Sequence, residues 1–282
     1  MQIFKEKALL TAYLKTIWGK NCTIGFIPTM GALHEGHLSL IKNSLEENEY
    51  NVVSIFVNPT QFNNIQDLEK YPRTLETDIE KIKIICPNCI VFAPTVDDIY
   101  EGKTNSKSFN YDGIENEMEG KHRPGHFDGV GTIVKKLFEI VKPTNAYFGE
   151  KDFQQLQIVK KLVSKNSLRV NIIGCSIFRE ANGLAMSSRN ERLSKKDREE
   201  ASIIFKTLLT AKEKFGTKSA KEVSEWVKNS LEKNKNITLE YFEIADETTL
   251  KTCIRKSKNK KYRAFIAVFI DNIRLIDNIS LN

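Results

Sequence analysis

The sequence has no long hydrophobic run. Its cleanest apolar stretch near the C-terminus extends only from Ala264 to Ile270, whereas a membrane-spanning helix needs ~20 residues. The N-terminal residues mix charges among their apolar positions and lack the hydrophobic region and small-residue cleavage site of a secretory signal. We therefore expect a soluble, cytoplasmic protein with no membrane partner.

Cysteine is scarce, with 5 residues in 282. An odd number without a signal peptide favours free thiols in a reducing compartment. Cys86 and Cys89 form a CPNC pair, which raises a zinc or a redox interpretation. There is no second Cys-x-x-Cys to complete a zinc site, and the pair precedes a predicted strand instead of opening a helix. We expect structural thiols at both positions.

Two common nucleotide-binding motifs are absent. The sequence contains neither G-x-x-x-x-G-K-[ST] nor G-x-G-x-x-G, which disfavours P-loop and dinucleotide-binding enzymes. Apolar residues make up 40% and charged residues 28% of the chain, an ordinary globular composition that argues against collagen, coiled coil and general disorder. The length predicts about two domains at roughly 150 residues each.

The net charge of +7 is unevenly distributed. Most of it lies after position 190, and the densest basic stretch is 251–263. This stretch suits either a nucleic-acid patch or a solvated hairpin loop. It contains one aromatic residue, Tyr262, and no RNA-binding motif, so we favour the solvated loop and expect no nucleic-acid partner.

Alternating strand and helix patterns in the first part of the chain predict a parallel sheet covered on both faces. Residues 1–20 resemble an amphipathic helix. After Arg179 the order changes to helices followed by strands at 238–246 and 262–276. The predicted architecture is a Rossmann-like α/β domain over 1–177 with a smaller α+β domain over 178–282.

Two histidines mark the end of the first predicted strand. His34 and His37 lie in PTMGALHEGH, where that strand turns into a helix and free N–H groups favour a phosphate. Three positions apart on a helix, the two rings share a face. H-E-G-H is one residue shorter than the zinc motif H-E-x-x-H, and a hydrogen-bonded core histidine is the simpler alternative.

Four other segments carry polar residues next to predicted strands or helices. In GEKDFQQ a lysine can reach a phosphate, while the aspartate can bind a ribose or only cap the helix. The hydroxyls and arginine of LAMSSRN form an anion-binding set or a cap for the helix near 195. The amides of FVNPTQF suit a hydroxy acid, and GKHRPGHFDGV offers cations to a carboxylate or phosphate. Together these segments point to adenylyl chemistry on ATP.

These motifs, in this order, resemble one family: the pantoate–β-alanine ligases of the nucleotidylyltransferase superfamily. The matching segments are PTMGALHEGHLSL, FVNPTQF, YPRT, RPGHFDGV, YFGEKDFQQL, GLAMSSRN and RLIDN. The resemblance implies a nucleotidylyltransferase-type Rossmann-like fold and a homodimer. It also implies a ligation in two steps, in which ATP and pantoate form a pantoyl adenylate that β-alanine then attacks.

The resemblance also implies roles for individual residues. The catalytic set is His34, His37, Lys151, Ser187, Ser188 and Arg189. ATP would contact Met30, Gly31, Ala32, Leu33, His34, Glu35, Gly36, His37, Gly149, Glu150, Lys151, Asp152, Phe178, Met186, Ser187, Ser188 and Arg189. The substrates pantoate and β-alanine would contact Asn58, Gln61 and Gln155, and Asp78 would help to hold Mg²⁺.

Overall fold

A computed structural model of the chain describes residues 1–62 and 65–282. The chain divides into two compact units. The first comprises Met1–Glu150 and Gln154–Ser176, and the second comprises Lys151–Phe153 and Ile177–Asn282. The predicted first domain, 1–177, includes residues 151–153 and Ile177, which in the structure belong to the second unit.

The first unit alternates strands and helices. Its strands are β1 (Gln2–Phe4), β2 (Ile24–Thr29), β3 (Tyr50–Ile55), β4 (Ile90–Phe92), β5 (Asn145–Gly149) and β6 (Asn171–Cys175). Its helices are α1 (Lys7–Lys15), α2 (Glu35–Glu47), α3 (Ile65–Glu69), α4 (Leu75–Ile85), α5 (Val96–Tyr100), α6 (Met118–His122), α7 (His126–Val141) and α8 (Phe153–Lys165), the last beginning with a residue of the second unit.

The six strands form one parallel sheet in the order β1-β4-β3-β2-β5-β6. From β2 the chain builds outward through β3 and β4, and it then returns to place β5 on the other side of β2. The order therefore reverses between β2 and β5. In open α/β sheets, ligands bind beyond the carboxyl ends of the strands at such a reversal. The sheet order therefore predicts a ligand site at the carboxyl ends of β2 and β5.

The N-terminal segment differs from its prediction. We expected one helix over 1–20, but Gln2–Phe4 forms an edge strand paired in parallel with Ile90–Phe92, and α1 starts only at Lys7. The helical pattern lies in the apolar positions of α1, where Leu10 and Leu14 are buried. The first residues form a strand because the backbone N–H and C=O groups on the outer side of β4 are available for pairing.

The amino ends of the central strands carry a row of polar side chains. Gly25 pairs with Asn51 on one side and Asn145 on the other. A Cβ at Gly25 would lie 2.0 Å from Ser44 Oγ and 2.7 Å from Asn48 Nδ2. The missing side chain therefore makes room for α2 to place two polar groups against the sheet.

Hydrogen bonds connect this polar row across the sheet. The Ser44 hydroxyl donates to Asn51 Oδ1 at 2.5 Å, and Asn145 Nδ2 donates to Asn48 Oδ1 at 2.8 Å. Asn48 Nδ2 donates to the Tyr147 hydroxyl at 2.7 Å, and that hydroxyl donates to Glu47 Oε2. Burial raises the pKa of Tyr147, so the phenol stays protonated and keeps its donor.

The CPNC segment is a second difference from prediction. We expected two thiols, but Cys86 and Cys89 form a disulfide. Cys86 ends α4, and the N–H of Cys89 donates to the Cys86 carbonyl at 3.1 Å, so a tight turn brings the two Cα atoms to 5.3 Å. That separation is within the range that a disulfide spans. Both side chains are buried in the core beside Ile82 and Val91.

The second unit packs helices against an antiparallel sheet. Its elements are α9 (Lys195–Glu200), α10 (Ser202–Thr217), α11 (Ala220–Leu231), β7 (Ile237–Asp246), β8 (Tyr262–Ile270) and β9 (Ile273–Ser280). The sheet order is β7-β8-β9. The predicted strand over 262–276 is in fact two strands, because the chain reverses at Asp271, whose φ of 52° lies in the left-handed region typical of tight turns.

A largely buried ion pair joins the segment before α9 to the last strand of the second unit. Arg179 Nη1 and Nη2 donate to the two carboxylate oxygens of Asp277 at 2.7 and 3.0 Å. The guanidinium also lies over the Phe205 ring, 3.8 Å from its centroid. Two parallel bonds fix the geometry of both side chains, so they tie the segment before α9 to β9.

The basic segment 251–261 connects β7 and β8 as an exposed loop, in agreement with the predicted hairpin connection. Lys260 pairs with Asp246 at 3.3 Å, and the Lys256 ammonium lies 3.9 Å from the centroid of the Phe215 ring. Among the helices of residues 1–62 and 65–282, none is long and apolar enough to cross a membrane.

Gly25→Ala tests the close approach of α2 to the sheet. The added Cβ overlaps Ser44 Oγ, so we expect the free energy of unfolding to fall by about 1–3 kcal/mol, measured by urea denaturation. Ser44→Ala removes the closest atom, and in the double variant the two losses should be less than additive. Additive losses would contradict the proposed overlap.

Candidate active site

The loop between β2 and α2 contains the predicted phosphate-binding segment. Its backbone passes through two consecutive residues in the left-handed region, Gly31 at φ 82° and Ala32 at φ 50°. Thr29 Oγ1 accepts the Gly31 N–H at 3.2 Å and donates to the Ser54 carbonyl on β3 at 2.8 Å. The loop thus turns sharply at the carboxyl end of the central strand.

His34 and His37 meet at the start of α2. His34 is the residue that caps the helix, and Glu35 and Gly36 follow in its first turn. The imidazole rings lie with their centroids 4.0 Å apart. The N–H of His34 donates to His37 Nδ1 at 3.4 Å. A neutral His37 that accepts at Nδ1 carries its proton on Nε2, so this nitrogen is a hydrogen-bond donor.

Asp78 does not have the environment that the magnesium prediction requires. Its side chain is fully buried, and its two oxygens accept the backbone N–H groups of Ala32 at 2.9 Å and Leu33 at 2.7 Å. Mg²⁺ in proteins keeps several waters and a near-octahedral oxygen shell, which a carboxylate without solvent contact does not supply. In the structure Asp78 instead holds the β2–α2 loop, and its magnesium role stays a prediction.

The two amides of FVNPTQF lie in a buried hydrogen-bond network. Asn58 Nδ2 donates to Gln61 Oε1 at 3.2 Å, which leaves the Gln61 amide nitrogen to contact Met30 Sδ at 2.7 Å. The Tyr100 hydroxyl donates to Asn58 Oδ1 at 2.6 Å. Burial raises the pKa of Tyr100, although its hydrogen bonds to Thr60 and Asn58 oppose the shift, so this donor stays protonated at neutral pH.

The GKHRPGHFDGV segment supports the same turn from the other side. His126 Nδ1 lies 2.9 Å from the Gln61 carbonyl oxygen, and Arg123 Nη2 donates to that oxygen at 3.4 Å. A carbonyl only accepts, so His126 carries its proton on Nδ1. At Gly129 a Cβ would lie 2.3 Å from the Thr60 carbonyl oxygen. These predicted anion-binding cations thus contact the backbone that positions Gln61.

The adjacent glutamines of α8 have different environments. Gln154 is buried, and its Nε2 donates to the carbonyls of Ile114 and Glu117 while its Oε1 accepts the Glu119 N–H. It therefore fixes the segment before α7. Gln155, the predicted substrate contact, is half-buried. At the end of β5, space is open where a Cβ on Gly149 would lie, and Glu150 follows directly.

The backbone of Lys151 is held by the C-terminal sheet of the second unit. Asn278 Nδ2 donates to the Lys151 carbonyl at 2.9 Å, and Arg263 Nη1 donates to Asn278 Oδ1 at 2.7 Å. The Lys151 ammonium lies 3.9 Å from Asp152 Oδ2. Arg263 also lies over the Phe153 ring, 4.0 Å from its centroid. One asparagine thus anchors the backbone of the predicted phosphate-binding lysine.

The GLAMSSRN motif follows a tight reversal of the chain. Arg179 and Ala185 form a β-bridge, and the N–H of Met186 donates to the Phe178 carbonyl at 2.9 Å. The two predicted adenine-flanking residues are therefore brought together across this reversal. The Phe178 side chain is 41% exposed, which leaves much of it accessible to a ligand.

Ser187 caps a 3₁₀ turn over Ser188–Arg192 and does not cap the helix near 195. Its Oγ accepts the Arg189 N–H at 3.3 Å. Helix α9 has its own cap, because Ser194 Oγ accepts the Asp197 N–H at 3.1 Å. The alternative that Ser187 and Ser188 only cap the helix near 195 is therefore excluded. Both serines lie with Arg189 on one short turn.

Sequence reasoning missed three residues that support these sites. Tyr100 lies at the end of a short helix in a region without a motif, so no local signal marks it. Lys81 donates from Nζ to the Leu33 carbonyl at 2.5 Å. Asn278 belongs to RLIDN, a segment that matched the family pattern but received no role. That match is a signal by which Asn278 can be found.

Comparisons with known proteins agree with the motifs. A family model described as pantoate-beta-alanine ligase matches residues 2–280. A pantothenate synthetase from Flavobacterium psychrophilum is 67% identical over 281 residues, covering 100% of both chains.

Solved structures give the same result. A pantothenate synthetase from Thermus thermophilus superposes with a TM-score of 0.91 at 36% identity, covering 100% of this chain and 99% of that one. A pantoate-beta-alanine ligase from Francisella tularensis, complexed with beta-gamma ATP and beta-alanine, has a TM-score of 0.81 at 36% identity, over 100% and 98% of the two chains. The predicted fold and resemblance are confirmed, and the chain belongs to the pantoate–β-alanine ligase family.

Proposed function

We propose that this chain condenses pantoate with β-alanine in two steps. In the first, a pantoate carboxylate oxygen attacks the α-phosphorus of ATP, and pyrophosphate leaves. In the second, the β-alanine amine attacks the acyl carbon of the pantoyl adenylate, loses a proton and expels AMP. The family match over residues 2–280 carries this proposal. No covalent enzyme intermediate is needed, so catalysis depends on alignment and charge stabilisation.

In the first unit, the start of α2 is the proposed phosphate site. The helix dipole favours an anion there, and the Nε2–H of His37 is oriented by the His34 N–H that Nδ1 accepts. We assign His34 and His37 to phosphate contacts, and Met30 to Gly36 to the surrounding ATP contacts. Gln61 and Gln155 would hold pantoate and β-alanine, with Asn58 orienting the Gln61 amide.

In the second unit, Lys151, Ser187, Ser188 and Arg189 supply donors suited to phosphate oxygens. The backbone of the lysine is fixed by Asn278, and the hydroxyls lie on a capped turn. We assign Phe178 and Met186 to the adenine. We assign Gly149, Glu150 and Asp152 to the ribose end of the nucleotide.

The family resemblance also supports a homodimer in the cytoplasm. On the first unit, Ile3 and Leu9 are 45% and 55% exposed. Ile3 belongs to β1, the edge strand of the sheet. An apolar edge of this kind is suited to burial against another chain.

Pantoate-dependent exchange of pyrophosphate into ATP tests the first step directly. With MgATP and no β-alanine, exchange should occur only when pantoate is present. Folded protein that binds ATP but shows no exchange would favour another small-molecule adenylyltransferase of the superfamily with a different acceptor acid.

His37→Ala should lower kcat by roughly 10²–10³, the usual loss for one donor to the transition state. Steady-state kinetics would measure this, with circular dichroism to confirm folding. Lys42→Ala, at an exposed position of the same helix, is the matched control and should retain normal turnover. A near-normal kcat for His37→Ala would remove that residue from the mechanism.

Gln61→Ala should raise KM for pantoate by roughly 5–100-fold, because a polar group of the bound pantoate would then be buried without the Gln61 amide as its hydrogen-bond partner. KM for ATP should change much less. Gly129→Ala should act in the same direction, since its Cβ displaces the Thr60 carbonyl. Gln2→Ala, at an exposed position, is the control; equal losses for pantoate and ATP would contradict the assignment.

A further inference from the structure

The backbone of the β2–α2 loop has an unfavourable conformation that needs support. Gly31 and Ala32 both have positive φ, and only glycine adopts this region freely. For a residue with a Cβ the left-handed conformation is strained, because the Cβ lies too close to the following carbonyl oxygen. Such a conformation persists when surrounding contacts determine it.

Asp78 provides that contact from α4. Its two carboxylate oxygens accept the N–H groups of two consecutive loop residues, Ala32 and Leu33, at 2.9 and 2.7 Å. The Thr74 hydroxyl donates to Oδ2 at 3.3 Å. Hydrogen bonds from N–H groups to a charged acceptor are about twice as strong as neutral ones. The carboxylate therefore selects one backbone conformation of the loop.

Lys81 completes the attachment one helical turn later. Its ammonium donates to the Leu33 carbonyl at 2.5 Å, so both the N–H and the C=O of Leu33 are bound by α4. The fit is also steric, because a Cβ at Gly31 would lie 3.1 Å from Asp78 Oδ2. A side chain at residue 31 would therefore be strained, both by its φ of 82° and by this close contact.

We propose that Asp78, assisted by Lys81, is a positioning residue that sets the Met30–His34 backbone in the conformation that binds ATP. This inference rests on the proposed assignment of that segment to ATP. It replaces the metal-ligand role, since both oxygens of a fully buried carboxylate already accept loop N–H groups.

Hydrogen exchange without substrates tests the contact itself. Asp78→Asn replaces one acceptor oxygen by an NH₂ group, so exchange at Ala32 and Leu33 should accelerate by roughly 10-fold or more, while the β2 and β3 amides stay protected. Lys81→Met leaves the carboxylate in place and should give a smaller acceleration at the same amides. Glu80→Gln, at an exposed position of α4, is the control and should leave them unchanged.

Kinetics then separate positioning from metal binding. Asp78→Asn and Lys81→Met should both raise KM for ATP and lower kcat. KM for β-alanine and the Mg²⁺ concentration that gives half-maximal rate should stay unchanged. Unchanged exchange at Ala32 and Leu33 with a raised Mg²⁺ requirement would overturn the proposal and restore Asp78 as a metal ligand. If Asp78→Asn does not fold, Lys81→Met carries both measurements, and unchanged loop exchange in it overturns the proposal.

The two hypotheses fail in different ways. Suppose that the wild-type protein shows no pantoate-dependent exchange of pyrophosphate into ATP, while amide hydrogen exchange at the loop is faster in the variants. This result would retain the loop contact and reject the proposed function. Wild-type activity together with variants that keep normal loop exchange and normal KM for ATP would reject the positioning role alone.

Discussion

Two hydrogen bonds that consecutive backbone N–H groups donate to the Asp78 carboxylate are the constraint on which the first unit's site depends. They hold a backbone conformation that the loop residues do not favour on their own, and this conformation decides where α2 begins. The positions of His34 and His37 follow from that starting point. The buried acid therefore acts on the geometry of the loop, which is how a rigid scaffold supports a functional loop.

At the amino ends of the strands, the main constraint is the close packing of α2 on the sheet. Helix α2 lies close to the strands because Gly25 has no side chain, and the polar groups introduced there satisfy one another across Asn51, Asn48 and Asn145. A buried polar network is stabilising only when its members have partners. The same helix is thus fixed at its C-terminal end by asparagines and at its N-terminal end by the loop held on α4.

Much of this organisation is predictable from local sequence. The alternating pattern gives the α/β class, and the motifs identify the histidines at the start of α2. Local patterns miss what depends on distant partners. The edge strand at Gln2–Phe4 requires β4, the Cys86–Cys89 bond requires a turn at a helix end, and the role of Asp78 requires contact with a loop 45 residues earlier. Tyr100 escapes notice for the same reason.

The division of the chain also has a consequence for recombination between relatives. Lys151 and Asn278 are 127 positions apart, yet the side chain of one anchors the backbone of the other within the second unit. A crossover at the apparent boundary near Ser176 would inherit these two residues from different parents. Chimeras that exchange the segment 151–153 together with the C-terminal unit preserve the pairing. The part of the protein that must be exchanged as a whole is therefore made of two separate segments of the sequence.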